Sequence, residues 1–194
     1  MKANVRKITV TALMSAAAAV LMFLSFSVPF MPSFIKFDLS ELPALIVSFS
    51  LGPWWGVLVC LLKNIINVFS TTTGGVGELS NFLLGASFVL PAGLIYRAVK
   101  SRKGALIGSL IGALCMALIS LPINYFLTYP IYQNFLPINQ IIAMYQAIFD
   151  RVNGLFECLL IFNVPFTFLK GMASVLITFI IYKHISPILK GKRV

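Results

Sequence analysis

The sequence predicts an all-α integral membrane protein with six transmembrane helices, both termini in the cytoplasm and a ligand cavity near the extracellular face. Of its 194 residues, 59% are hydrophobic and only 10% are charged, whereas about a quarter of the residues in soluble domains are charged. A soluble domain of this length could not bury so much apolar surface. Composition therefore excludes a soluble globular protein, a disordered chain and a secreted disulfide scaffold.

Six apolar runs supply the predicted helices, because a membrane span takes about 20 residues. The first run follows basic residues but is longer than the core of a signal peptide, so we expect it to be retained. The second and third are separated by Gly52-Pro53, a turn dipeptide. The whole chain, 1–194, then forms one membrane domain. The predicted spans are 8–30, 41–51, 54–70, 78–98, 105–129 and 165–185.

Segment 130–164 does not fit this pattern of long apolar runs. Ile138, Ile141, Ile142 and Tyr145 recur at helical spacing with polar residues between them. This spacing predicts a short amphipathic helix over 138–152, which lies on the outer membrane interface or covers a cavity.

Basic residues determine the predicted orientation. The net charge is +10, and most of the bases fall in three clusters that each flank an apolar run. Six spans place all three clusters on one side of the membrane, which is the positive-inside pattern; seven would not. This distribution indicates a membrane protein and argues against nucleic-acid binding. The clusters are Lys2, Arg6 and Lys7; Arg97, Lys100, Arg102 and Lys103; and Lys183, Lys190, Lys192 and Arg193.

Polar side chains within the predicted spans are concentrated toward the outer side. Lys63 lies ten residues after Pro53, or ~15 Å along a helix and near the middle of a ~30 Å hydrocarbon core. The inner halves of the spans are almost free of polar residues. This asymmetry predicts a cavity that opens to the outside, since a channel would need polar lining at both depths. The outer polar residues are Lys63, Asn64, Asn67, Glu78, Asn81, Asn124, Asn163, Thr167 and Lys170.

Several of these residues have purely structural interpretations. Glu78 could pair with Lys63 or Lys170 only to neutralise buried charge, and Lys63 could extend its ammonium to the nearer interface. Asn163 could cap the last helix, with Pro165 in the first turn. The glycine-rich stretch 74–77 could be a flexible turn or could bring its backbone close to a ligand.

Small residues on the first span form a face on which another helix could pack closely. Ala12 and Ala16 are four residues apart, as are Ser15 and Ala19, and such spacing favours close approach of helices in membranes. The partner helix could belong to this chain or to another subunit.

Several short motifs occur in order along nearly the whole chain. The most specific are residues 36–44 (K-F-D-L-S-E-L-P-A) and 77–82 (G-E-L-S-N-F). Residues 51–53 (L-G-P), 63–64 (K-N), 124–126 (N-Y-F) and 165–171 (P-F-T-F-L-K-G) accompany them. Together they resemble the substrate-binding S components of energy-coupling factor (ECF) vitamin transporters, and most closely the riboflavin-specific S components.

The resemblance implies a six-helix fold with a vitamin site near the outer face. It places riboflavin contacts on the stretch 38–44, the fifth span and the last span. The family commonly has asparagine where this chain has Thr167, and a hydroxyl has shorter reach than an amide, so Asn163 could contribute instead. The predicted substrate-binding residues are Asp38, Leu39, Ser40, Glu41, Leu42, Ala44, Lys63, Glu78, Asn81, Asn124, Asn163, Thr167 and Lys170.

The resemblance also implies partners. Ala12 and Ala16 match the family's A-x-x-x-A face, which contacts a membrane-embedded coupling subunit, and two ATPase subunits supply the energy that this chain, with no nucleotide site, cannot supply. The hypothesis is a substrate-capture subunit of an ECF-type ABC importer in the bacterial plasma membrane. It binds riboflavin from outside, with FMN as a further candidate, and uses no catalytic residue, metal or cofactor.

Three alternatives remain at this point. The chain could be an S component for another vitamin, such as thiamin or pantothenate. It could be a solitary secondary transporter or channel. A small membrane enzyme is disfavoured, because the only histidine is His184 at the inner rim and no span carries paired carboxylates or a metal-binding motif.

Overall fold

The structure is a computed structural model that describes residues 2–71 and 73–189. Lys190, Lys192 and Arg193 of the predicted C-terminal basic cluster lie outside the described residues. Helices dominate the part of the chain that is described. They are α1 (Lys2–Phe23), α2 (Glu41–Leu51), α3 (Pro53–Val68), α4 (Val76–Ala98), α5 (Arg102–Ile123), α6 (Tyr129–Tyr132), α7 (Ile138–Gln146), α8 (Leu155–Cys158) and α9 (Val164–Leu189).

Within residues 2–71 and 73–189, four helical runs are long and apolar enough to cross a membrane: Asn4–Phe23, Val76–Ala98, Arg102–Tyr132 and Leu155–Ile181. Their outward faces carry large apolar side chains, such as Leu118, Leu176 and Ile180, which are 67%, 63% and 70% exposed. Such faces are typical of contact with lipid. Helices α2 and α3 are also apolar but shorter, at 11 and 16 residues.

The first helix ends earlier than the predicted span 8–30. It stops at Phe23, and the chain then forms two short antiparallel strands, β1 (Phe26–Ser27) and β2 (Lys36–Phe37), with Phe26 opposite Phe37. Two prolines, at positions 29 and 32, prevent helix continuation because proline lacks the amide proton and clashes with the preceding turn.

The predicted amphipathic helix over 138–152 is also shorter in the structure. Helix α7 ends at Gln146, whose side chain donates to the carbonyl of Val152 at 2.9 Å. Ile141 and Tyr145 bury one face of α7. The chain turns back after Gln146. The last helical run begins earlier than the predicted span 165–185, at Leu155.

Helices α2 and α3 form a tight hairpin around Gly52. Gly52 has φ 120°, a conformation that favours glycine, and Pro53 starts α3. A Cβ atom at Gly56 would lie 2.7 Å from the Ser48 Cβ, so the two helices touch four residues from the turn on either side. Residues equidistant from Gly52 thus lie at the same level, which applies to Glu41 and Lys63, each eleven residues away.

Glycines spaced four apart let α5 cross α4 closely. A Cβ at Gly108 would lie 2.7 Å from the Ala92 carbonyl oxygen, and one at Gly112 would lie 2.4 Å from that of Phe88. Small residues at this spacing are a known means of close helix packing in membranes. The close contact between the two helices therefore requires glycine, which has no side chain, at positions 108 and 112.

In the described part of the chain, two π-helical segments interrupt the long helical runs, at Asn124–Thr128 and Leu159–Asn163. Each ends two residues before a proline, Pro130 or Pro165. Proline would clash with the carbonyl four residues earlier in a regular helix, and a wider turn relieves that clash. Both segments place an asparagine inside the protein, Asn124 and Asn163.

Gly112→Ala should destabilise the fold, because its methyl group would press on the backbone of α4. We expect a loss of about 1–3 kcal/mol in the free energy of unfolding, measured on detergent-solubilised protein by chemical denaturation. Gly154→Ala is the control, since a Cβ there meets nothing within 4 Å. Equal stabilities of the two variants would contradict this account of the α4–α5 contact.

Candidate functional site

A cavity of about 380 Å³ lies at the end of the bundle that carries the strands and the α3–α4 loop. This volume falls within the range of small-molecule sites, about 300–1,000 Å³. The polar side chains that line it come from loops, from α3, α4 and α9, and from both π-helical segments. They include Asp38, Asn67, Glu78, Asn81, Asn124, Thr128, Asn163, Thr167 and Lys170.

Seven of the thirteen predicted substrate-binding residues line this cavity: Asp38, Glu78, Asn81, Asn124, Asn163, Thr167 and Lys170. The other six do not. Leu39 precedes the buried start of α2, and Leu42 and Ala44 pack within the bundle because α2 is covered on nearly all sides. Ser40, Glu41 and Lys63 are fully buried behind the cavity.

A buried cluster of charges lies behind and beside the cavity; we call Asp38, Glu41, Lys63 and Lys170 the ion cluster. Lys63 Nζ is 2.9 Å from Glu41 Oε1, and Lys170 Nζ is 2.9 Å from Asp38 Oδ2. Lys170 Nζ also lies 3.4 Å from Glu41 Oε2, which links the two pairs. Two lysines thus face two carboxylates, and the cluster has no net charge.

Ser40 joins the two halves of the ion cluster. Lys63 Nζ donates to the Ser40 hydroxyl, which in turn donates to Asp38 Oδ1. The Ser40 backbone N–H donates to the same Asp38 oxygen at 2.9 Å. The chain between β2 and α2 is therefore fixed at the level of Lys63 on α3 and Lys170 on α9.

Asp38 remains ionised in this setting. Burial alone would raise the pKa of the Asp38 carboxyl, but the nearby Lys170 and Lys63 ammonium groups and the hydrogen bond from Ser40 outweigh burial and lower that pKa to about 2. Asp38 and Lys170 both line the cavity. They present it with an ion pair whose charges are balanced before any ligand enters.

Glu78 does not neutralise Lys63 or Lys170, so that interpretation is wrong. Its Oε2 accepts from the Thr71 hydroxyl at 2.8 Å and from the Thr73 hydroxyl at 3.2 Å. The proposal that Lys63 extends to an interface is also wrong, because its side chain is wholly buried and paired with Glu41. The two hydrogen bonds to Glu78 instead tie Thr71 and Thr73, in the loop before α4, to the first turn of that helix.

Aromatic side chains complete the cavity wall, and the sequence pattern did not single them out. Phe34, Tyr129, Tyr132 and Phe166 line it. With 13% aromatic residues in the chain, no single ring stands out from sequence alone. Asn67 also lines the cavity; its position four residues after Lys63 on the same helix face was the signal available.

Three buried polar side chains form a closed ring of hydrogen bonds; we call Tyr129, Tyr145 and Asn163 the tyrosine–asparagine ring. The two hydroxyls are 2.7 Å apart, Tyr145 donates to Asn163 Oδ1 at 2.7 Å, and Asn163 Nδ2 donates to the Tyr129 oxygen at 3.4 Å. Burial raises the pKa of the Tyr145 hydroxyl, so it stays protonated. Asn163 lies within a π-helical segment and does not cap a helix.

The alanine face of α1 points outward. Ala12 and Ala16 are exposed, whereas Ser15, Ala18 and Ala19 are buried in the bundle. Packing within this chain therefore accounts for Ser15 and Ala19, whereas Ala12 and Ala16 remain uncovered.

Comparison with known proteins identifies the family. Residues 6–182 match the family described as "ECF transporter, substrate-specific component". The chain belongs to this family. The resemblance drawn from the sequence motifs is thereby confirmed, and the chain is a component of a transporter by family.

Named relatives cover almost the whole chain. It is 33% identical to riboflavin transporter RibU of Staphylococcus aureus, over 98% of this chain and 95% of that protein. It is 30% identical to riboflavin transporter FmnP of Bacillus subtilis, over 98% of this chain and 97% of that protein. A solved structure of the S component of a bacterial ECF transporter superposes with a TM-score of 0.76 at 29% identity, covering 96% of this chain and 99% of that one.

Single and double substitutions at the Lys63–Glu41 ion pair should differ in their effect on stability. Lys63→Met leaves the Glu41 carboxylate without its closest cation, so we expect a loss of about 3–5 kcal/mol in the free energy of unfolding. The double variant Glu41→Gln/Lys63→Met removes both charges and should recover most of that loss. Chemical denaturation of the purified variants checks this. A single variant as stable as the unmodified protein, or a double variant less stable than the single, would contradict it.

Proposed function

We propose that this chain is the riboflavin-capturing S component of an ECF-type importer in a bacterial plasma membrane. In this proposal the helices form six membrane spans with both termini in the cytoplasm, and α2 and α3 together form a hairpin that enters the bilayer. The cavity then opens to the outside. The observation that carries the proposal is a cavity whose polar and aromatic lining suits a flavin, in a chain whose relatives are named riboflavin transporters.

The cavity lining fits the chemistry of the proposed ligand. An isoalloxazine ring is flat and largely apolar, with carbonyl and N–H groups at one edge, so it needs aromatic walls and a few convergent polar groups. Phe34, Tyr132 and Phe166 provide rings, and Asn124 and Thr167 provide donors and acceptors. The ribityl tail carries hydroxyls that need further polar partners.

Charge balance in the cavity supports an uncharged ligand. Among the described residues, the charged side chains that line it are Lys36, Asp38, Glu78 and Lys170, two of each sign. Riboflavin is neutral, whereas FMN carries a phosphate that would have to remain near the mouth or find an unpaired cation. We therefore propose riboflavin as the main ligand.

Energy for transport comes from partners in this proposal. A coupling subunit in the membrane docks on the uncovered Ala12 and Ala16 face of α1, and two ATPase subunits drive release of the vitamin to the inside. Lipid covers the remaining apolar surface of the bundle.

Riboflavin binding tests the proposal directly. Titration of purified protein into riboflavin should quench flavin fluorescence with saturation at one flavin per chain, and thiamin or pantothenate should not compete. Asn124→Ala removes one convergent polar group and should weaken binding about tenfold. Asn134→Ala, at an exposed position outside the cavity, is the control. Absence of saturable quenching, or effective competition by thiamin, would refute riboflavin as the ligand.

Docking on α1 has its own test. Ala16→Trp places a large ring on the proposed contact face without entering the bundle, so flavin binding should persist while copurification with the coupling subunit is lost. Ala17→Trp, at an exposed neighbouring position, is the control for bulk alone. Normal copurification of Ala16→Trp with the coupling subunit would exclude this face.

A further inference from the structure

We propose that Tyr145, which lies outside the cavity, is a positioning residue that holds Asn163 as a hydrogen-bond donor toward the bound ligand. The inference rests on the proposed function, because the ligand is the one assigned to the same cavity. It adds a residue from α7, an element that contributes no side chain to the cavity wall.

The direction of every hydrogen bond in the tyrosine–asparagine ring follows from one of them. Tyr145 has a single hydroxyl proton and donates it to Asn163 Oδ1 at 2.7 Å. The Tyr145 oxygen can then only accept, so the 2.7 Å contact with Tyr129 is a donation from Tyr129. The Tyr129 oxygen in turn accepts from Asn163 Nδ2 at 3.4 Å. All three donors point the same way around the ring.

Among the described residues, Asn163 Nδ2 donates only to Tyr129, which leaves its second proton without a protein partner. Oδ1 faces Tyr145, which is fully buried and absent from the cavity wall, whereas Nδ2 is on the side of Tyr129, which lines the cavity together with Asn163. The amide therefore presents its donor to the cavity. A carbonyl or ring nitrogen acceptor of a flavin is the kind of group that such a donor would bind.

Surrounding contacts keep Tyr145 in place. It is buried together with Ile141, Val152 and Leu159 in an apolar cluster that also contains Tyr129. The Phe34 ring packs edge-on against it at a centroid distance of 6.1 Å. A donor held in one orientation before binding loses little freedom when the ligand arrives, which is the physical benefit of positioning.

Riboflavin titration of Tyr145→Phe tests the inference, since phenylalanine keeps the ring and removes only the hydroxyl. We expect affinity to fall about three- to tenfold. Tyr125→Phe is the matched control, because Tyr125 is exposed on a π-helical segment and absent from the cavity wall; its affinity should equal that of the unmodified protein. Wild-type affinity in Tyr145→Phe would overturn the inference.

A double-mutant cycle separates positioning from general destabilisation. If Tyr145 acts through Asn163, the double variant Tyr145→Phe/Asn163→Leu should bind no more weakly than Asn163→Leu alone. Additive losses would overturn the inference. Asn163→Asp keeps an acceptor for Tyr145 and removes the amide donor, so wild-type affinity in that variant would overturn the donor assignment.

A variant that fails to fold, and an unmodified protein that fails to bind riboflavin, are identified before affinities are compared. Thermal unfolding without ligand identifies any variant that fails to fold; if Tyr145→Phe does so, Tyr129→Phe breaks the ring at another hydroxyl, and wild-type affinity there would overturn the inference. Failure of the unmodified protein to bind riboflavin would instead refute the proposed function.

Discussion

Neutralisation of buried charge is the constraint on which the site depends. Each ionised side chain of the ion cluster would cost several kcal/mol if buried alone, yet Lys63 and Glu41 are completely buried. They are tolerated because two cations meet two carboxylates within 2.9–3.4 Å. The loop before α2 and the helices α2, α3 and α9 must therefore meet at one level, which is the base of the cavity.

Backbone features of the surrounding helices make this meeting possible. The turn at Gly52 sets Glu41 and Lys63 at equal heights, and Gly112 brings α5 against α4. The π-helical segments, each followed by a proline, turn Asn124 and Asn163 inward at the cavity. The polar lining is thus a consequence of where glycine and proline occur.

The depth of polar side chains within the membrane was easier to predict from the sequence than the partners with which they pair. The residue count from Pro53 placed Lys63 near the middle of the hydrocarbon core, but the alternative in which Glu78 pairs with Lys63 or Lys170 was wrong. Glu41 could have been found, because it and Lys63 are both eleven residues from Gly52. The pairing of Lys170 with Asp38 joins residues 132 positions apart, and no local pattern encodes such a distance. The family resemblance nevertheless singled out Asp38 and Lys170 as site residues, because both lie in the family's motifs.

The ends of helices and the contacts between separate helices were the least predictable features. The end of α1 lies six residues before Pro29, and Pro29 limits the helix without requiring that it end at Phe23. The end of α7 at Gln146 coincides with one side-chain hydrogen bond, which forms only in the folded chain. The tyrosine–asparagine ring was also missed, because Tyr129 and Tyr145 come from separate helices and a tyrosine in an aromatic-rich chain carries no distinctive signal.

A crystal structure of the purified protein bound to riboflavin would test the central claim most directly. The account predicts flavin density inside the cavity, with polar ligand atoms within hydrogen-bond distance of Lys170, Asn124 and Asn163, and with the Lys63–Glu41 pair intact behind them. Flavin bound elsewhere on the protein, or bound in the cavity with the ion cluster broken apart, would contradict it.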